Sequence, residues 1–129
     1  MVQIVINVDD VVPVFAQIVT QVKNAVSGRE IDAGDPLPSI RQLANDLGIN
    51  QKTVAKAYRL LERDSVIQSK GYRGTFIHPN ARVNSKIDLT QWTTTKLSEA
   101  VTELRSSGVT DSEIRIAMAS ILSTTNRGT

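Results

Sequence analysis

Residues 47–62 read "LGINQKTVAKAYRLLE". Val54, Ala57, Tyr58 and Leu61 recur at three- and four-residue spacing, which places them on one face of an α-helix. The first turn of that helix is different in kind. Asn50, Gln51, Lys52 and Thr53 all carry hydrogen-bonding side chains. Such a turn is either an ordinary solvated helix start or an edge aimed at a ligand, and its neighbours in the chain decide between the two.

Upstream, Ser39 and Gln42 have the spacing of a capping box. Ile40, Leu43, Ala44 and Leu47 supply one apolar face before Gly48. A short helix over residues 39–47 is expected, separated from the next only by "GIN", with Asn50 as N-cap. Two short helices joined by a turn containing Gly form the helix-turn-helix pattern. Downstream, "SVIQSKGYRGTFIHP" (residues 65–79) changes period, with β-prone runs on either side of the basic, glycine-hinged "KGYRG". A helix-turn-helix followed by such a hairpin is a winged-helix arrangement.

Further out, "QIVINVD" near the start suits a short strand or an extended arm. After Pro13, the residues Phe15, Ile18, Val19, Val22 and Val26 predict an amphipathic helix that Gly28 stops. "DAGDPLP" reads as a loop and residues 80–85 as a polar linker. A long helix then carries Leu89, Trp92, Thr93, Leu97, Val101 and Leu104 along one stripe and ends at "SSG". Thr110 with Glu113 makes another capping box, opening a last helix whose face is Ile114, Ala117, Met118, Ile121 and Leu122. Two such helices cannot bury both their faces alone and must pack on the first domain or on a second subunit. Dimerisation residues are therefore expected among Leu89, Trp92, Leu97, Val101, Leu104, Ile114, Met118, Ile121 and Leu122. The expected architecture is mainly α with a small β component (α+β). A winged helix-turn-helix over residues 1–79 precedes a two-helix dimerisation unit over residues 80–129.

With 129 residues and few aromatics, the chain suits one small aliphatic-cored domain with an appendage. It has no cysteine, which excludes disulfides, thiolate metal sites and a cysteine nucleophile. The start lacks a positive n-region and no run approaches membrane-spanning length, so a cytoplasmic protein is expected. The net charge of +2 is unevenly placed. Residues 1–35 carry two Lys/Arg against five Asp/Glu, residues 36–86 nine against three, and residues 87–129 four against five. A basic middle third flanked by mildly acidic segments points to a polyanion partner.

In a helix-turn-helix the second helix presents its N-terminal residues to base edges in the major groove. Gln51, Lys52 and Thr53 suit that role, with Lys56 one turn on, while Asn50 is primarily the cap. Arg41 in the first turn of the preceding helix could clamp a phosphate or reach a guanine, or pair with Asp46 as an ordinary surface arginine. Lys70 and Arg73 sit on the hairpin tip, where Gly71 and Gly74 permit close backbone approach to a narrow minor groove. Enzyme chemistry finds little support. His78, the single histidine, stands beside Pro79 without a nucleophile or carboxylate in a useful pattern, and neither a phosphate-cradling loop nor a metal-ligand cluster is present. No catalytic residue, cofactor or metal is expected.

The run "GDPLPSIRQLANDLGINQKTVAKAYRLLERDSVI" followed by "GYRGTFI" closely resembles the winged-helix DNA-binding domain of the GntR family of bacterial transcription regulators. The resemblance covers about Pro13 to Ile77; "TVAKAY" with "LE" and the short tail resemble the YtrA-like subfamily. It implies DNA contacts from Ser39 and Arg41, from Asn50, Gln51, Lys52 and Thr53 with Lys56 nearby, and from Gly71, Arg73, Gly74 and Thr75 on the wing. It also implies a two-helix dimerising tail in place of a large effector domain. The chain departs from the family pattern at Ile40, often acidic, at Gln51, often proline, at Lys52, often small and polar, and at Tyr72, an insertion-like residue between the wing glycines. The expected function is a homodimeric, sequence-specific transcription regulator, acting as a repressor on a pseudo-palindromic operator. Its expected partners are double-stranded DNA and a second copy, and any small-molecule effector is of unassigned identity. The alternative is a winged helix used as a protein-interaction module.

Overall fold

The computed structural model describes residues 3–125. They form two compact units, the first ending at Gln91 and the second starting at Trp92. In the first unit α1 (Val14–Ser27), α2 (Ile40–Leu47) and α3 (Gln51–Arg63) pack around one core. A three-stranded antiparallel sheet of order β1-β3-β2 joins them, from β1 (Pro36–Leu37), β2 (Ile67–Ser69) and β3 (Thr75–Ile77). The core is aliphatic, as the composition requires: Ile18, Val19 and Val22 of α1 meet Val54, Ala57 and Leu61 of α3, with Ile77 of β3 beneath them, all fully buried.

Two pieces of the fold differ from the sequence-based expectation. "DAGDPLP" is not wholly loop, because Pro36 and Leu37 pair with Phe76 and Thr75 and make β1 an edge strand on the wing. Residues 80–85 are not a plain linker either. They contain a one-turn helix, α4 (Ala81–Asn84), because Ala81 is small enough to bury against the core and the Asn84 amide donates to the Ser65 carbonyl at 2.9 Å. Residues 3–7 form an extended arm and not a strand. Two glutamines one turn apart on α1 take the place of a partner strand: Gln17 pairs with both backbone groups of Asn7, and Gln21 with both of Val5. Ile4 and Ile6 between them pack on the core.

Helix ends follow the left-handed C-terminal motif in which two backbone N–H groups satisfy the last free carbonyls. After α2 the left-handed residue is Gly48, φ +67°. After α1 it is Arg29 at φ +62° rather than Gly28, whose role is different: a Cβ there would stand 3.1 Å from the Asn24 carbonyl oxygen. After α3 it is Ser65, φ +56°, with Ser65 N–H donating to Glu62 and Val66 N–H to Leu61.

Lys23 is the one buried cation of the described residues. Its ammonium donates to Asp64 Oδ2 at 2.8 Å and to the Ile87 carbonyl at 2.9 Å, with Asp88 Oδ1 at 3.9 Å. Asp88 also accepts from Thr20 Oγ1 and from the Gln91 N–H. Burial pushes the Asp64 carboxyl up. Hydrogen bonds from Arg63 and Lys23, with their charges, outweigh that and hold it below the usual carboxylate range.

The second unit holds most of α5 (Leu89–Ser106) and α6 (Asp111–Thr125). Their junction is tight: Arg105 forks onto Asp111 at 2.8 and 3.0 Å, and Thr110 and Glu113 close a reciprocal capping box. No residue of α5 is buried, and Trp92, Leu97, Leu104, Ile116, Ile121 and Leu122 are exposed.

A left-handed conformation costs a non-glycine residue about 1–2 kcal/mol. Ser65→Gly should therefore stabilise the protein by about 1 kcal/mol, net of the added freedom of the unfolded glycine. Thermal unfolding should show a midpoint several degrees higher, and a fall would remove this account of the α3 terminus. The depressed Asp64 carboxyl sets the acid behaviour. The stability it contributes is fully present above its unfolded pKa, about 4, and is lost as pH falls through the lower folded value. Denaturant melts from pH 6 downward (about two pH units of plateau by this reckoning) should show Asp64→Asn less stable than wild type at neutral pH and converging on it in acid.

Candidate nucleic-acid interface

The candidate surface begins with two helix N-termini. Ser39 caps α2 by accepting from the Gln42 N–H at 3.0 Å. The expected box is half formed: the Gln42 amide turns forward to Asp46 Oδ1 at 3.0 Å in place of returning to Ser39. With Asp46 so engaged, Arg41 makes no ion pair among the described residues, and its guanidinium is exposed to solvent. Asn50 caps α3, its Oδ1 accepting from the Lys52 N–H at 2.8 Å. Gln51 and Lys52 are exposed and Thr53 is half-buried. Neither first turn carries an acidic residue, so the positive ends of both helix dipoles are uncompensated.

These termini converge. An open groove of about 400 Å³ is lined by Ser39, Arg41, Gln42, Asn45, Ile49 and Gln51. Lys52 and Lys56 follow along α3, and Arg59 and Arg63 continue the same stripe at helical spacing, all exposed. Arg63 is occupied by Asp64, at 2.7 Å from its Nε. Arg59 is free of ion pairs among the described residues and extends the surface beyond the residues singled out from sequence. What places this stripe outward is the opposite face, and Tyr58 is its pin. The Tyr58 hydroxyl donates to the Pro38 carbonyl at 2.7 Å, fastening α3 to the residue before the α2 cap. Burial raises the Tyr58 pKa well above the ordinary tyrosine value, so the hydroxyl stays a donor throughout the physiological range.

The wing lies on a separate hairpin and does not line the groove. Gly71–Arg73 form a 3₁₀ turn closed by the Lys70 N–H to the Gly74 carbonyl at 2.8 Å. Gly71 (φ +63°) and Gly74 (φ +110°) take backbone conformations that other residues adopt poorly. The tip therefore presents Lys70, Tyr72 and Arg73 to solvent, Tyr72 being 97% exposed, while Thr75 is half-buried on β3.

Two aromatic residues, Phe15 of the α1 apolar face and Phe76 of the hairpin, touch lysines of this surface. The Lys56 ammonium lies 4.2 Å from the centre of the Phe15 ring, and the Lys70 ammonium 5.1 Å from that of Phe76. His78 has a local role, its Nδ1 accepting from the Asn80 N–H at 3.0 Å. Among the described residues no cluster of three His, Cys, Asp or Glu side chains could hold a metal, and no helix is long and apolar enough to cross a membrane.

Residues 15–77 match the model of bacterial regulatory proteins, gntR family. The HTH-type transcriptional repressor YtrA of Bacillus subtilis is 41% identical over 70 residues, covering 54% of this chain and 54% of that protein. The chain thus spans about half the length of the curated relatives it matches first. Among solved structures, a transcriptional antiterminator from Listeria monocytogenes EGD-e is 33% identical, with a TM-score of 0.63 over 93% of this chain and 90% of that one. YtrA from Sulfolobus acidocaldarius, a GntR-family transcription factor, is 26% identical, with a TM-score of 0.55 over 95% and 99%. With its helix-turn-helix and wing inside the matched residues, the chain belongs to the GntR family of bacterial regulatory proteins.

Proposed function

We propose that the chain is a sequence-specific, DNA-binding transcription regulator that acts as a repressor in the cytoplasm. The observation that carries this reading is the convergence of Ser39, Arg41 and Gln51 on one groove, with Lys52 and Lys56 next to it on α3. α3 enters the major groove N-terminus first. Gln51 and Lys52 meet base edges, Thr53 offers a methyl group to thymine, and Arg41 reaches a phosphate or a guanine. Asn50 keeps its amide N–H groups for DNA, since only its oxygen is used in the cap. The wing approaches the minor groove through Lys70 and Arg73, with Gly71, Gly74 and Thr75 bringing backbone close to the phosphates.

The chain works as a homodimer held by residues 80–129. Trp92, Leu97, Leu104, Ile121 and Leu122 are exposed apolar side chains on a two-helix unit with little interior of its own. Leu89 is exposed as well, while Val101, Ile114 and Met118 are half-buried. Two-fold symmetry then requires inverted half-sites about one helical turn, about 34 Å, apart. Repression follows the role printed for the Bacillus relative, an HTH-type transcriptional repressor.

Selection of binding duplexes from random DNA tests the whole reading. The expected outcome is a motif of two inverted half-sites; no enriched motif overturns specific DNA recognition, and a single unrepeated half-site overturns the dimer. On the selected duplex, Arg41→Ala and Lys52→Ala should each cost about 1–3 kcal/mol if they read bases. Affinity should fall steeply as salt rises, through counterion release. Unchanged affinity in both variants would remove the assigned reading surface.

A further inference from the structure

The chain contains two phenylalanines, and each carries a lysine ammonium over its ring. Phe15 lies in the first turn of α1 and is half-buried against the core; Phe76 is half-buried at the centre of the three-stranded sheet, paired with Pro36 and Gln68. Both rings thus sit in regular secondary structure and are partly buried and partly open. Lys56 and Lys70 are exposed, and neither forms an ion pair among the described residues. Lys56 lies on α3 itself, and Lys70 lies on the wing tip, where it precedes the Gly71–Arg73 turn.

A free lysine has a long flexible stem and loses rotamer freedom when it meets a phosphate. An aromatic face attracts the ammonium electrostatically and restricts the stem beforehand, yet it occupies only one side of the charge. The remaining N–H donors stay available for an anion. We propose that Phe15 and Phe76 are positioning residues for DNA binding, holding Lys56 and Lys70 ready as two phosphate contacts, one on α3 and one on the wing. This rests on the DNA-binding reading above, and it adds a role for two side chains that touch no DNA themselves.

Phosphate contacts act alike on all sequences, so a mixed-sequence duplex of about 30 base pairs, long enough for two half-sites, serves as the probe. Affinity is measured for the full chain by fluorescence anisotropy between about 50 and 200 mM salt. Phe15→Leu, which keeps apolar packing and removes the ring, should weaken binding about two- to fivefold, the range for a solvent-exposed cation–π contact. In a Lys56→Gln background the same substitution should change affinity by nothing measurable. Phe15→Tyr should restore wild-type affinity. The salt slope should fall by about one phosphate in Lys56→Gln, and stay unchanged in Phe15→Leu, because the charge is still present there. Phe76→Leu against Lys70→Gln should repeat the pattern.

A purely structural role for Phe15 gives a different result. Thermal midpoint and affinity would then fall together, equally with Lys56 present or absent, and that additivity overturns the proposal. No loss of affinity in Phe15→Leu overturns it as well. If the wild-type chain shows no salt-dependent binding to the duplex, the DNA-binding reading itself fails; if it binds and Phe15 and Lys56 do not couple, only the positioning role fails.

Discussion

Everything the surface of α3 offers depends on which of its faces is buried. Val54, Ala57, Tyr58 and Leu61 are committed to the core, and successive residues of a helix turn by about 100°. Lys52, Lys56 and Arg59 therefore point outward with no freedom to choose. Apolar burial is strong but non-directional: withdrawing Leu61 alone costs about 2 kcal/mol, yet it does not fix how far the helix slides along its axis. The Tyr58 hydroxyl supplies that missing direction. Its bond to the Pro38 carbonyl ties the middle of α3 to the residue that precedes the α2 cap, so the two helix N-termini hold a common register.

Lys23 does the same at the other end of α3. An ammonium without water needs several partners, and a buried charge stripped of one of them is strongly destabilising. Lys23 finds them on the residue that ends α3, Asp64, and on the segment leading into α5, Ile87 and Asp88. Asp88 in turn accepts from Thr20 and from the first turn of α5. Three segments distant in sequence share one charge, and none of them can shift without leaving a polar group unpaired. Sequence periodicity places Lys23 on α1 beside apolar neighbours and gives no hint of this, because the partners lie 41 and more residues away.

That is the general division between what could and could not be read in advance. The apolar faces of α1, α2, α3, α5 and α6, the β-prone runs of the hairpin around its glycines and the Asn50 cap are local patterns, and local patterns survive in one sequence. The strand β1 is two residues long, too short for any period, and exists only because β3 lies beside it. α4 is a single turn held by the burial of Ala81 and a bond from Asn84 to Ser65. The alternation of residues 3–7 suited a strand or an extended arm equally, and what decides for the arm is that its partners are the side-chain amides of Gln17 and Gln21. Phe15 was legible as an apolar residue on the helix face. Its second role, under Lys56, required knowing that α1 and α3 cross there.

The candidate site also divides by stiffness. The α3 turn is capped, pinned by Tyr58 and backed by fully buried aliphatic side chains, so its polar groups are presented with little freedom. The wing hangs on strands of three residues, and its tip turns through two left-handed glycines. Rigid placement suits base edges, where a bidentate contact tolerates little displacement; a compliant tip suits a phosphate backbone, whose groove width varies with sequence. A single winged helix offers only a handful of charges to phosphate. Linking two through a common tail makes the second engagement intramolecular, which multiplies affinity without any new contact. On this reading the exposed apolar row of α5 and α6 and the basic stripe of α3 answer one requirement: enough charge neutralised, at two places, to hold a short recognition turn on its site.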